Sequence, residues 1–543
     1  MLEPPVPIAD PVARNRVALV IALILLISLG VRMYQLTTPP SYMFDEVYYA
    51  KDADVIVHNK VGPMPPLRWT AGKEVSWPHP EMGKQAIALG ILLFGNRAFG
   101  WRLPAVLAGM LILACIYPLA RRLGLSPAWS LIALAFAAAD TLLIAQSRIA
   151  TLDIFIALWT VVCILMALRY IQSGRRLRWL LLCGLTGGFA TATKWSGVAA
   201  LLASGLLIAY AWWRDRLHAT KIEGEAEAGT DAVAAGAGPA GQAVAQDGEP
   251  PALAAEGATR AGAGSTALAA LGVLAALVVL PAAVYLASYG QYFAAGHTWA
   301  DFVELHRQAF YFSTHLKTGH TYASLAPTWI VDYRPVWYYF QGTAKTYRGV
   351  DGIPNPFLWW LATLSLILAP VLALMKRTTL LLPAAFLVAV LYFPWFATQR
   401  TSFLYYMTPV APFMAILVAA ALCAFAGSRR RLPRRGLLTL TVFGVGTAVL
   451  WEPIGSLCAW IFWELPRSVS VAFGWVSLGV GLMIAIAAVG LVLVQQTRRY
   501  RPLVAMALVG MIIGISVAFL PIVLNIPMSP GHFNHIMWFR SWI

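Results

Sequence analysis

The chain has 543 residues, of which 59% are hydrophobic and 12% charged. Soluble domains carry about 25% charged residues, so this composition excludes an ordinary soluble protein and points to an integral membrane protein. The 40 Lys and Arg against 24 Asp and Glu give a formal charge of +16. These cations lie in short clusters between apolar runs and not on a basic face interleaved with aromatics, which excludes nucleic-acid binding.

A membrane-spanning helix needs about 20 mostly apolar residues. By that rule the chain predicts about thirteen spans, at 17–36, 100–120, 126–145, 149–170, 178–194, 196–213, 267–289, 357–375, 379–397, 403–426, 437–461, 469–494 and 503–525. The first is too long for a signal-peptide core and lacks a small-residue cleavage site, so it reads as a retained helix. With the N-terminus inside, every arginine-rich cluster between spans falls on the cytoplasmic side, as the positive-inside rule requires. The first loop (37–99), the long loop 290–356 and the C-terminus then lie outside.

Residues 219–266 are rich in Ala, Gly and acids with no apolar period, and read as a disordered cytoplasmic linker. It separates an N-terminal block, 1–218, from a C-terminal block, 267–543. No internal repeat argues for inverted-repeat transport. The cysteines Cys115, Cys163, Cys183, Cys423 and Cys458 fall in apolar segments with no CxxC spacing, so neither a zinc site nor a disulfide framework is indicated.

The first outer loop opens on FDEVYY and closes on HPEMGK. Residues 45–57 and 85–94 read as helices lying at the membrane interface, the first with Tyr48, Tyr49 and Val55 toward lipid. Asp45 and Glu46 have two readings: acids at a helix start, or a carboxylate that deprotonates an acceptor hydroxyl while its neighbour orients the site. His79, Lys84 and Arg102 supply complementary charge. Arg102 either snorkels to headgroups or clamps a phosphate. Arg148 and Asp153, in SRIATLD, face a cavity or a partner helix, and Asp140 shares that ambiguity. Lys194 and Trp195 read as an outer-interface pair.

In the second outer loop, His297, His306, His315 and His320 match no compact metal motif. Its many aromatics form either an interfacial belt or a groove for a peptide or sugar. Arg400, ahead of FLYYMTPVAPF, is a second candidate phosphate contact.

FDEVYY, HPEMGKQAIALG, WRLPAVLAG, SRIATLD, ATKWSG, HLKTGHTYASLAPTW, RPVWYY, NPFLWW, RTSFLYYMTPVAPF and MWFRSWI, in this order, resemble the protein O-mannosyltransferase family. The resemblance implies an all-α integral membrane protein with the lipid-donor C-type glycosyltransferase fold. It implies a polyprenyl-phosphate-mannose donor and a Ser/Thr-containing polypeptide acceptor. Carried over, Asp45 is the catalytic base with Glu46 beside it. Arg102 holds the donor phosphate, with Lys84 or Arg400. His79, Arg148, Asp153 and, within the acidic motif, Tyr48 shape the substrate pocket. The expected reaction is one inverting displacement at the outer face of a bacterial cell membrane, with no metal or other cofactor required. The chain departs from the family where His-Pro-Pro becomes His79-Pro80-Glu81. It also lacks the folded lumenal insertion of eukaryotic members, and it carries two additional helices before the terminal one. A same-fold transferase acting on a lipid or glycan, such as the lipid A aminoarabinose transferases, is the nearer alternative. A transporter or lipid flippase is the further one. It needs ionisable groups at mid-bilayer, whereas these candidates cluster at the outer ends of the spans.

Overall fold

The computed structural model describes residues 3–58, 78–236, 269–315, 319–427, 436–450, 453, 456 and 500–543. Seven helices in it are long and apolar enough to cross a membrane. They are α1 (Pro11–Met33), α4 (Ala98–Arg122), α7 (Asp153–Gln172), α9 (Val198–Gly236, its span ending at His218), α10 (Ala269–Ser288), α12 (Pro356–Leu374) and α16 (Arg501–Val523). Shorter helices among the described residues pack with them: α5 (Pro127–Ala139), α8 (Leu177–Thr193), α13 (Leu382–Tyr392), α14 (Ala411–Ala426) and α15 (Gly436–Val449). Each predicted span meets one of these helices except 469–494, which lies outside the described residues, as does most of 451–461.

The sequence sets several of the helix ends. Asp10 caps α1 by accepting from the Val12 amide, with Pro11 at the first helical position. Asn355 caps α12 in the same way, through the Leu358 amide. The span predicted at 126–145 is broken at Asp140, which takes an extended backbone there and starts the short helix α6 (Thr141–Gln146) by accepting from Leu143. Helix α7 is the most enclosed of the spans, with 72% of its apolar window buried, and it packs against α4, α8 and α9. Helices α15 and α16 meet backbone to backbone at Gly510, where a Cβ would overlap the Leu440 carbonyl. Small residues at such crossings are how helices associate in lipid.

Loop one holds helices at the two expected places, α2 (Glu46–Val57) and α3 (Met82–Phe94), but Tyr49, expected toward lipid, is buried. Helix α3 buries Lys84, Ile87 and Ile91 and exposes Leu89, Leu92 and Leu93. Helix α9 continues to Gly236, into the stretch expected to be a linker, and 237–268 lies outside the described residues.

Loop two contains the amphipathic helix α11 (Trp299–His315) and a hairpin that an all-helical reading did not include. Strand β1 (Trp337–Gly342) pairs antiparallel with β2 (Tyr347–Asp351), Phe340 facing Gly349 and Gly342 facing Tyr347. The run WYYFQG is aromatic and suits a pleated, half-buried surface. The C-terminal tail packs back beneath this loop. Trp542 donates to the Asp332 carbonyl and accepts from Trp337 through its own carbonyl, both at 2.7 Å.

Candidate active site

The loop-one acids sit where α2 begins, and the two carboxylates do different things. Glu46 is fully buried. Its Oε1 accepts from Arg102 Nε at 2.8 Å and the Ala150 amide at 3.0 Å, and its Oε2 accepts from Arg102 Nη2 and the Met43 amide, both at 2.8 Å. Arg102 is equally enclosed. Its Nη1 donates to the Leu36 and Pro39 carbonyls and its Nη2 also to Ser41. A guanidinium has five N–H donors, and all five are used here. Arg102, expected to hold a donor phosphate, has no donor left for one, and Glu46 is the neighbour that orients backbone amides: together they fasten loop one to α4.

Asp45 points elsewhere. Its carboxylate makes no cap bond to the helix it starts. Tyr405 donates to Oδ2 at 3.4 Å, and the side chain faces the Asp153–Lys194 pair. Although part of its surface stays open, burial and then the Asp153 charge raise its pKa to about 7, against the pull of Lys194 and Tyr405. The preceding residue, Phe44, has φ of +44°, uncommon for a bulky side chain. Its ring is held against Tyr338 and Tyr405, with centroids at 5.2 and 5.7 Å. Strain retained by packing of this kind gathers at functional sites.

Lys194, at the end of α8, donates to Asp153 at the start of α7, at 3.0 and 3.3 Å. Its ammonium also lies 4.3 Å from the centre of the Tyr406 ring. Beside it opens a cavity of about 440 Å³ whose wall includes His79, Lys194, Trp195, Ser196, Thr314 and Arg400. Asp45 is not itself on that wall; it is coupled to it through Lys194. Burial, then Lys194, Arg400 and Lys84, hold the His79 imidazole well below its usual pKa, so it is neutral. Of the candidates, His79 and Arg400 line the cavity, and Asp45 and Asp153 adjoin it at Lys194.

Three other residues do not. Lys84 is buried and donates to Glu81 at 2.8 Å, with Asp52 at 3.9 Å, off the cavity wall. The glutamate that departs from His-Pro-Pro is therefore its partner. Arg148 reaches the Val31, Arg32 and Tyr34 carbonyls at 3.1, 2.7 and 2.7 Å, closing the C-terminal end of α1. Tyr48 is 47% exposed, while Tyr49 is 6% exposed and turned toward His79. The pocket reading was one residue out of phase on α2.

Lys194, Trp195 and Tyr405 were not anticipated as site residues. One signal was available: a buried-end Asp153 needs a cation, and Lys194 closes the next apolar helix.

The described residues form a helical membrane bundle with a carboxylate, cations and a cavity gathered where α7 begins and α8 ends. The match in overall shape to the S. cerevisiae protein O-mannosyltransferase Pmt1-Pmt2 complex bound to the sugar donor supports that fold, with a TM-score of 0.67 at 12% identity over 100% of this chain and 95% of that one. Residues 22–295 match the family described as dolichyl-phosphate-mannose-protein mannosyltransferase, and 298–542 match the C-terminal four-transmembrane region of protein O-mannosyltransferases. The chain belongs to this family. It is 25% identical over 469 residues to the polyprenol-phosphate-mannose–protein mannosyltransferase of Mycolicibacterium smegmatis, covering 74% of this chain and 81% of that one. Over 141 residues, 25% of each chain, it is 34% identical to the undecaprenyl phosphate-alpha-4-amino-4-deoxy-L-arabinose arabinosyl transferase of Pseudomonas aeruginosa.

Proposed function

We propose that the protein transfers mannose from a polyprenyl-phosphate donor to Ser or Thr hydroxyls of polypeptides, at the outer face of a bacterial cell membrane. The observation that carries this reading is the meeting of Asp45 with the Asp153–Lys194 pair beside a cavity edged by His79 and Arg400, in a chain of this family.

The donor's tail lies in the bilayer and its phosphate enters the cavity against Arg400 and Lys194. The acceptor hydroxyl approaches from the aqueous side. Asp45 takes its proton as the oxygen attacks the anomeric carbon, and the bond to the phosphate oxygen breaks. A carboxylate with a pKa near the working pH suits a general base. Negative charge grows on the departing lipid phosphate, and fixed cations in a poorly hydrated site stabilise it strongly. One displacement inverts the anomeric centre. Because Arg400 and Lys194 supply the positive charge, transfer is expected to proceed without added metal.

A second reading, transfer to a lipid or glycan, is favoured by the 141-residue likeness to the arabinosyl transferase. The test offers purified protein a labelled polyprenyl-phosphate mannose with a Ser/Thr-rich peptide and a lipid acceptor together. Label on the peptide supports protein mannosylation; label on the lipid alone replaces the acceptor.

A further inference from the structure

Trp195 stands on the cavity wall between Lys194 and Ser196, in the short turn Trp195–Gly197 that joins α8 to α9. Its indole N–H donates to the Tyr285 hydroxyl at 2.9 Å, at the loop-two end of α10. Tyr285 Oη lies 2.7 Å from His306 Nε2, on α11. His306 Nδ1 lies 2.8 Å from the Phe302 carbonyl.

The protons in this chain are fixed by its ends. A carbonyl only accepts, so Nδ1 carries the hydrogen. Burial lowers the pKa of His306 and keeps the ring neutral, so Nε2 accepts. Tyr285 therefore donates to His306 and accepts from Trp195. Every donor in the series has one acceptor, and the indole has no polar atom left over. What Trp195 offers the cavity is carbon alone.

The cavity is thus divided chemically. Lys194 and Arg400 present positive charge, suited to phosphate. Trp195 presents an apolar aromatic surface next to the hydroxyl of Ser196 and the neutral His79. A hexose matches such a surface, because its ring has C–H faces that pack on aromatic carbon and a rim of hydroxyls that seek polar partners. We propose that Trp195 is the platform for the donor's sugar ring, held in place by Tyr285 and His306 acting as positioning residues. The same series ties α11 to the cavity, and Ser313 and Thr314 at the end of that helix lie on the cavity wall. Loop two is thereby coupled to sugar binding.

This subsite rests on the donor reading above, so its test separates the two. Binding of polyprenyl-phosphate mannose and of bare polyprenyl phosphate is measured on the purified full chain. Trp195→Ala is expected to weaken the mannosylated lipid about tenfold, the worth of one aromatic contact, while leaving the bare lipid unchanged. Tyr285→Phe keeps the ring and its packing, and is expected to move affinity in the same direction by less. The double variant is expected to match Trp195→Ala, as coupled residues do. His306→Gln, which retains an acceptor, should bind nearer to wild type than His306→Leu. In turnover, Trp195→Ala should raise the donor KM and leave the peptide KM alone. Equal weakening of both lipids, or a Tyr285→Phe protein with unchanged selectivity, would overturn the proposal. A wild type that favours the mannosylated lipid but transfers to no peptide would overturn the acceptor reading and leave the sugar platform standing.

Discussion

Arg102 grips both oxygens of Glu46 in a two-pronged pair, each N–O distance 2.8 Å, with neither side chain reaching solvent. This pair holds the strand of chain that leads into Asp45. Its remaining donors gather the Leu36, Pro39 and Ser41 carbonyls. The cation that resembled a substrate ligand is a fastening for the loop that carries Asp45.

Breaking one half of a buried ion pair strands the other charge and costs about 3–5 kcal/mol. Glu46→Gln and Arg102→Lys are therefore expected to lower thermal stability and turnover together, while protein that remains folded keeps its donor affinity. Lysine keeps the charge but not the planar fork, so it does not rescue. Normal melting with donor affinity lost would return Arg102 to the phosphate.

Asp45, with its pKa raised from 3.8 to about 7, sets the pH dependence. Below that pH the acid holds its proton and cannot serve as base, so kcat/KM is expected to rise with pH and level off above about 7. Stability moves the other way. The folded chain binds this proton more tightly than the unfolded chain does, so the contribution is fully present below 3.8 and lost as pH rises through about 7. Asp45→Asn should melt higher than wild type at pH 8 and close to it at acid pH. Equal melting at both would remove the raised pKa from the account.

Arg400 and Lys84 were expected to share the phosphate, and the structure separates them. Arg400→Ala is expected to raise the donor KM about tenfold, in line with one charge-assisted hydrogen bond. Lys84→Met leaves Glu81 and Asp52 facing a neutral side chain, so its cost should fall on stability. The pair of variants, assayed for donor KM and melting temperature, should divide in that way.

Tyr48 and Tyr49 give an inexpensive check on the phase of α2. Tyr49→Ala empties a buried position and is expected to cost about 3 kcal/mol. Tyr48→Ala, on the exposed side, should stay within about 0.5 kcal/mol of wild type. A matched chemical denaturation series decides it.

Chelation tests the role given to the fixed cations. If Arg400 and Lys194 neutralise the leaving phosphate, transfer should continue at an unchanged rate in excess EDTA. A rate lost to EDTA and restored by a divalent ion would show that a metal carries part of that charge.

The bundle was legible in the sequence because each apolar run is long and the arginine clusters alternate with them. Asp45, His79, Asp153 and Arg400 stood out as candidates because polar groups are few in so apolar a chain. What was not legible is which charges meet. Arg102 pairs with Glu46 across 56 residues and Lys194 with Asp153 across 41, and no local pattern records such contacts. Glu81 shows the same limit: the departure from His-Pro-Pro was visible, but its bond to Lys84 appears only when α3 is folded. The hairpin at 337–351 was hidden by aromatics that equally suit a membrane belt.

The measurement closest to the central claim compares wild type and Asp45→Asn for transfer of labelled mannose from polyprenyl phosphate to a Ser/Thr peptide, with donor binding measured on the same samples. The account predicts label on the peptide with wild type, none with Asp45→Asn, and similar donor binding by both. Undiminished transfer by Asp45→Asn would contradict it.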